Sequence, residues 1–148
     1  MKFSIIIIFL FLIIDYSCNG QNIIDRDDTI VFEDTMYFKK DTTLVTGLVK
    51  EWYYGNGQLS WEANIKDGKR DGLVRGWYEN GQLRFEGNDK DGKKDGLIRF
   101  WYENGQLWWE ANNKDNMPDG LMRTWYEDGR LMSEEIWKNG VLVQKKEH

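Results

Sequence analysis

The sequence predicts an all-β fold: an elongated antiparallel β-meander of tandem hairpins, laid out as a single-layer twisted sheet. Three observations predict it. Turn glycines at Gly57, Gly81, Gly105 and Gly129 recur every 24 residues. A second turn series, Asp67-Gly68, Asp91-Gly92, Asp115-Asn116 and Asn139-Gly140, keeps the same spacing in a fixed phase with the first. No segment between the turns sustains a helical apolar period, and each reads as a short strand.

The turns justify the hairpins. Asn-Gly and Asp-Gly are strong hairpin signals because a two-residue type I′ turn needs positive φ at both central positions. The only proline, Pro118, falls in a connecting turn, where it disturbs no ladder. Residues 47–148 divide into repeats at about 47–71, 72–95, 96–119 and 120–148. Residues 21–46 are less regular. They read as an atypical N-terminal capping segment with strands near 29–33 and 36–39, such as repeat arrays usually need at their ends. The last hairpin turns at Asn139-Gly140, and Lys145, Lys146 and Glu147 discourage pairing along its outer edge.

Residues 1–20 stand apart as an export signal. Lys2 precedes a run, 3–14, that is apolar except for Ser4 and ends at Asp15. The run is too short to span a bilayer as a helix and matches the apolar region of a secretory signal. Two readings of the boundary stand open. In one, Cys18, preceded by the small Ser17, is lipidated and anchors the chain at a membrane without any spanning helix. In the other, a signal peptidase cuts after Gly20. Either way the protein is expected to be exported, to the cell envelope or beyond. Cys18 is the only cysteine, so an intrachain disulfide is excluded.

Composition narrows the function. With 25 acidic against 20 basic residues and a net charge of −5, the chain lacks the basic cluster that phosphate backbones require, so no nucleic acid is expected as a partner. Aromatic residues make up 15% of it, including eight Trp, which excludes a disordered chain.

The hairpin register assigns partners. A two-residue loop at Asn80-Gly81 sets Arg75 opposite Glu86, and likewise Arg99 opposite Glu110 and Arg123 opposite Glu134. The first copy carries one extra residue near Gly55. Absorbed as a bulge, it leaves Lys50 opposite Glu62. Opposite charges across a strand pair contribute roughly 0.2–1 kcal/mol each, so these residues read as structural. Strand alternation then puts Val74, Tyr78, Leu83 and Phe85 on one face and Arg75, Trp77, Glu79, Arg84 and Glu86 on the other. Trp77 is expected opposite Arg84, and Trp101 opposite Trp108. The candidate binding face is therefore Trp52, Trp77, Trp101 and Trp125, with Arg84 and Trp108. The competing account of the same row is plain sheet packing.

Catalysis finds little material. The single His is His148 and the single Cys is Cys18, which leaves no Ser-His or Cys-His pair. The carboxylates are periodic, with no member set apart as an acid or base. Asp89-x-Asp91-Gly92 looks like part of a calcium loop, but Gly87 and Ile98 occupy two of its ligand positions. No enzyme activity, metal or cofactor is expected.

The unit Gly-Leu-x-Arg/Lys-x-Trp-Tyr-x-Asn-Gly-Gln-Leu, followed by Lys-Asp-Gly-x-x-Asp-Gly, resembles the bacterial variant of the MORN repeat over roughly residues 40–145. That resemblance implies a repeat scaffold for protein or membrane contact, with no catalytic residue to carry over. Members of the family often bear the label of antitoxin in a toxin–antitoxin module. The expected function is a non-catalytic, exported or lipid-anchored interaction scaffold with a protein partner. The alternatives are an antitoxin, or a binder of envelope glycan or lipid.

Overall fold

The computed structural model describes residues 23–148. The expected export signal and Cys18 lie outside the described residues. Thirteen strands follow one another: β1 (Ile23–Asp25), β2 (Thr29–Phe32), β3 (Thr35–Phe38), β4 (Gly47–Trp52), β5 (Leu59–Lys66), β6 (Lys69–Trp77), β7 (Leu83–Lys90), β8 (Lys93–Lys94), β9 (Gly96–Trp101), β10 (Leu107–Lys114), β11 (Met117–Trp125), β12 (Leu131–Lys138) and β13 (Val141–Glu147). A 3-10 turn, Arg26–Asp28, separates β1 from β2.

From β4 to β13 the sheet is the expected antiparallel meander, each strand beside its neighbour in sequence, with β8 pairing only to β7. Two features depart from a purely antiparallel single layer. β1 joins the edge of β4 in parallel, Ile24 beside Val49. The β2–β3 hairpin forms its own two-stranded sheet. It lies over the first repeat, where Met36 and Phe38 pack with Val45, Val49, Ala63 and Ile65. Backbone bonds fix it there: Met36 N–H donates to Gly68 O at 2.7 Å and Val45 N–H to Met36 O at 3.0 Å. A thin sheet buries little apolar area by itself, and this hairpin supplies a local second layer.

The two turn series differ in geometry. Asp67-Gly68, Asp91-Gly92, Asp115-Asn116 and Asn139-Gly140 all have positive φ at both positions and form the expected two-residue turns. The Asn-Gly series does not. Asn80 and Asn104 keep negative φ, and only the following glycine is left-handed, with φ of 85° at Gly81. Gly81 N–H donates to Tyr78 O at 2.9 Å, and Tyr78 N–H to Gln82 O at 2.8 Å, which closes a three-residue loop. The cause is the asparagine side chain. Asn80 Oδ1 accepts from Gln82 N–H at 2.9 Å and Asn104 Oδ1 from Gln106 N–H at 2.9 Å, which holds each Asn in the turn by its own oxygen. In the first copy the extra residue enlarges the loop instead of forming a bulge. Tyr53 N–H donates to Gln58 O across four intervening residues.

The one-residue change in loop length is cancelled two residues later. Gly76 pairs with Phe85 but Trp77 pairs with Leu83, so Arg84 is squeezed out as a bulge. The same bulge falls at Ser60, Trp108 and Met132. Beyond it the charged pairs stand opposite one another as expected: Lys50–Glu62, Arg75–Glu86, Arg99–Glu110 and Arg123–Glu134. Before it two expected oppositions fail. Trp77 faces Leu83 rather than Arg84, and Trp101 faces Leu107 rather than Trp108.

Candidate binding face and cleft

The bulge decides which side chains share a face. Leu59, Leu83, Leu107 and Leu131 pair with Trp52, Trp77, Trp101 and Trp125, so the leucines belong to the Trp face and not to the face of Val74. Arg84 and Trp108 move the other way. The Arg84 guanidinium sits 5.4 Å from the centroid of the Phe85 ring, and Trp108 meets Phe100 edge-on at 6.1 Å. The six residues expected to form one binding face are thus divided between two.

The Trp face is organised around a charged row. Asp25, Lys50, Glu62, Arg75, Glu86, Arg99, Glu110, Arg123, Glu134 and Lys146 stand in register on successive strands, and their signs alternate without a break. Sequence reasoning found the pairs within hairpins but missed the links between them, which carry two of the ion pairs. Arg75 turns to Glu62 of the preceding hairpin, Nη2 to Oε1 at 2.6 Å, instead of to Glu86. Lys50 approaches the same carboxylate at 3.5 Å. Arg123 bridges Glu110 at 3.3 Å and Glu134 at 3.0 Å. Glu62 is only 6% exposed and draws both cations because a buried carboxylate needs compensation. At the far end of the row, Arg123 holds the Glu134 carboxyl below its ordinary range, with a further contribution from His148.

The residues of the repeat motif are consumed in joining repeats. Tyr53 donates its hydroxyl to Trp77 O at 2.7 Å, Tyr78 to Trp101 O at 2.7 Å and Tyr102 to Trp125 O at 2.9 Å. Burial first, then the nearby Glu127 and Asp128, pushes the Tyr102 phenol up, so it stays a donor. Asn80 Nδ2 donates to Glu103 O and Asn104 Nδ2 to Glu127 O, again one repeat on. Trp77 lies under the Arg75 guanidinium, 5.7 Å from its ring centroid. Trp77, Trp101 and Trp125 are half-buried, and Trp52 is 41% exposed. Nothing in the sequence pattern marks the tyrosine as the stitch, since its partner is a backbone carbonyl.

The opposite face carries a cleft of about 420 Å³ over the second and third repeats. Val74, Gly87 and Ile98 form its floor, and Trp61, Phe85, Phe100 and Trp108 its aromatic walls. It exists because the period breaks here. Gly76 occupies the place held by Glu51, Phe100 and Thr124 in the other copies, and Gly87 the place of Ala63 and Ala111. The Phe85 ring fills the space a side chain at residue 76 would take: a Cβ there would lie 2.2 Å from Phe85 Cε1. At one end of the cleft Asp89 is paired with Arg70, which accounts for the carboxylate that resembled a calcium ligand. Asp91 stands in the two-residue turn beyond it.

This hairpin unit is matched by a known family. The model of the MORN repeat variant fits residues 70–88, 94–112 and 118–139. The three repeats that it covers are MORN repeats of the variant type. Each match spans one hairpin with its three-residue loop, and the structure gives an equivalent hairpin with a longer loop to residues 47–66, outside the matched segments. No match is found among curated proteins. MORN repeats are in general modules for contact with proteins or membranes, and this chain is a repeat protein of that kind.

Proposed function

We propose that the chain is a non-catalytic MORN-repeat scaffold that is exported behind residues 1–20, held at the cell envelope by a lipidated Cys18, and binds a protein partner through the cleft. One observation carries the reading of the site: the aromatic cleft opens where Gly76 and Gly87 depart from the repeat. Elsewhere the recurrent Tyr53, Tyr78, Tyr102, Asn80 and Asn104 side chains are engaged in joining one repeat to the next. A concave apolar site with a few polar groups at its rim is the usual form of a binding site, and exposed aromatic residues dominate interface energetics. Trp108 is 44% exposed at the rim of this one.

The bulge position makes the test clean. Trp108 occupies the place of Ser60, Arg84 and Met132 in the other hairpins, so Trp108→Ser uses a residue that the fold already accepts there. Proteins captured from the envelope fraction by the tagged full-length chain are quantified for both forms. Selective loss of a partner from Trp108→Ser, with an unchanged far-UV spectrum, supports the cleft. A partner retained at full strength refutes it. Palmitate labelling that vanishes in Cys18→Ala tests the anchor separately.

A further inference from the structure

We infer that the cleft is specific for an extended, acidic peptide segment carrying an apolar side chain between its carboxylates. The inference deepens the reading of the cleft as a protein-binding site and rests on it.

Charge is the first argument. The chain as a whole is acidic, at −5. Around the cleft stand Arg70, Arg84 and Lys94 against Asp89 alone, three positive charges to one negative, or +2. The Arg70–Asp89 pair is internally compensated. Arg84 and Lys94 are exposed, and among the described residues neither forms an ion pair, in a molecule where the other cleft-side cation does. Arg84 rests on the Phe85 face, and its guanidinium makes no hydrogen bond among the described residues. A guanidinium placed so matches a carboxylate arriving from solvent.

Spacing is the second. Lys94 stands in register with Asp89, five residues along β7 from Arg84. At a strand rise of 3.3 Å that separation is about 16 Å. An extended segment with carboxylates four residues apart spans about 13 Å, and the arms of Arg84 and Lys94 cover the difference. The residue midway between the carboxylates shares their face and descends toward Val74, Gly87 and Ile98.

The third argument is an occupant already present on the same face. Over the first repeat the chain lays its own extended β3 across the sheet. Met36 bonds the Gly68 turn and seats its side chain on the floor formed by Ile65 and its neighbours. The cleft continues from that core, since Val74, Trp61 and Phe85 belong to both. An anionic membrane surface would also meet Arg84 and Lys94, but the remaining net charge of the chain would oppose its approach.

The test uses three fluorescein-labelled heptapeptides and the folded chain. The acidic probe is Ser-Glu-Thr-Phe-Thr-Glu-Ser; the others replace both Glu by Gln or by Lys. Fluorescence anisotropy should give the acidic probe at least a roughly tenfold tighter Kd than the Gln probe at low salt, narrowing as salt screens the contacts. The surface variant Arg84→Glu/Lys94→Glu should reverse the order and favour the Lys probe. Equal binding of all three probes, lost in Trp108→Ser, would overturn the charge specificity while leaving the cleft a peptide site. Failure of all three to bind would overturn both. Phosphatidylglycerol vesicles that bind the wild type while the acidic probe does not, and that are released by the double reversal, would overturn the inference in favour of a membrane ligand.

Discussion

The tyrosine stitches offer the sharpest test of the view that the repeat motif serves assembly. Tyr53, Tyr78 and Tyr102 each donate a hydroxyl to the backbone carbonyl of the Trp one repeat on, at 2.7, 2.7 and 2.9 Å. Replacing each by Phe removes one oxygen and keeps the ring. The cost of a lost neutral hydrogen bond is about 0.5–1.5 kcal/mol, and the part-buried setting of all three puts each at about 1 kcal/mol. The three sites are one repeat apart and share no partner, so their costs should add within a few tenths. The triple variant should lose about 3 kcal/mol. Urea unfolding followed by Trp fluorescence measures this as a fall in midpoint at constant slope. Singles that each cost under about 0.3 kcal/mol would refute the stitch. A triple loss far from the sum of the singles would refute the nearest-neighbour picture of the array.

Other outcomes follow from the same geometry. Gly76→Ala drives a methyl to within 2.2 Å of the Phe85 ring and should destabilise by about 1–3 kcal/mol, with the near-UV spectrum changing as Phe85 and Phe100 shift. Gly87→Ala meets Ile98 at 3.0 Å and restores what Ala63 and Ala111 already show, so thermal unfolding should register less than about 1 kcal/mol. Removing the buried Glu62 as Glu62→Ala should cost about 2 kcal/mol, because Lys50 and Arg75 lose a common partner. Glu134→Ala, at the open end of the row, should cost much less. The Glu134 carboxyl is held below its ordinary range chiefly by Arg123, so its stabilising contribution is present above that range and lost as pH falls through its folded value. Arg123→Gln should therefore narrow the gap in melting temperature between neutral and acid pH. A gap as wide as in wild type would exclude the pair as its source.

The cleft shows where periodic reading stops. Loop length and bulge each shift the register by one, and they cancel, so the pairing of Arg75 with Glu86 comes out right from a turn of the wrong type. The error survives only in the two residues between loop and bulge. It is there that Leu83 changes face and that Arg84 and Trp108 leave the Trp row for the cleft. Alternation assumes an unbroken ladder, and a bulge points two successive residues the same way.

The sequence alone determined the meander, the 24-residue unit, the two-residue turns at Asp-Gly and the oppositely charged pairs, because each depends on local turn chemistry and a period of two. Tertiary structure decided the rest. It joined the pairs into one row across the sheet, laid β2–β3 over the first repeat and gave the tyrosines their carbonyl partners. These are contacts between repeats, and their partners lie outside the periodic unit that specifies each hairpin. The cleft stands at the boundary between the two. Gly76 and Gly87 depart from the period, a departure that the periodic reading passed over, and only the packing of Phe85 and Phe100 around them turned two missing side chains into a site.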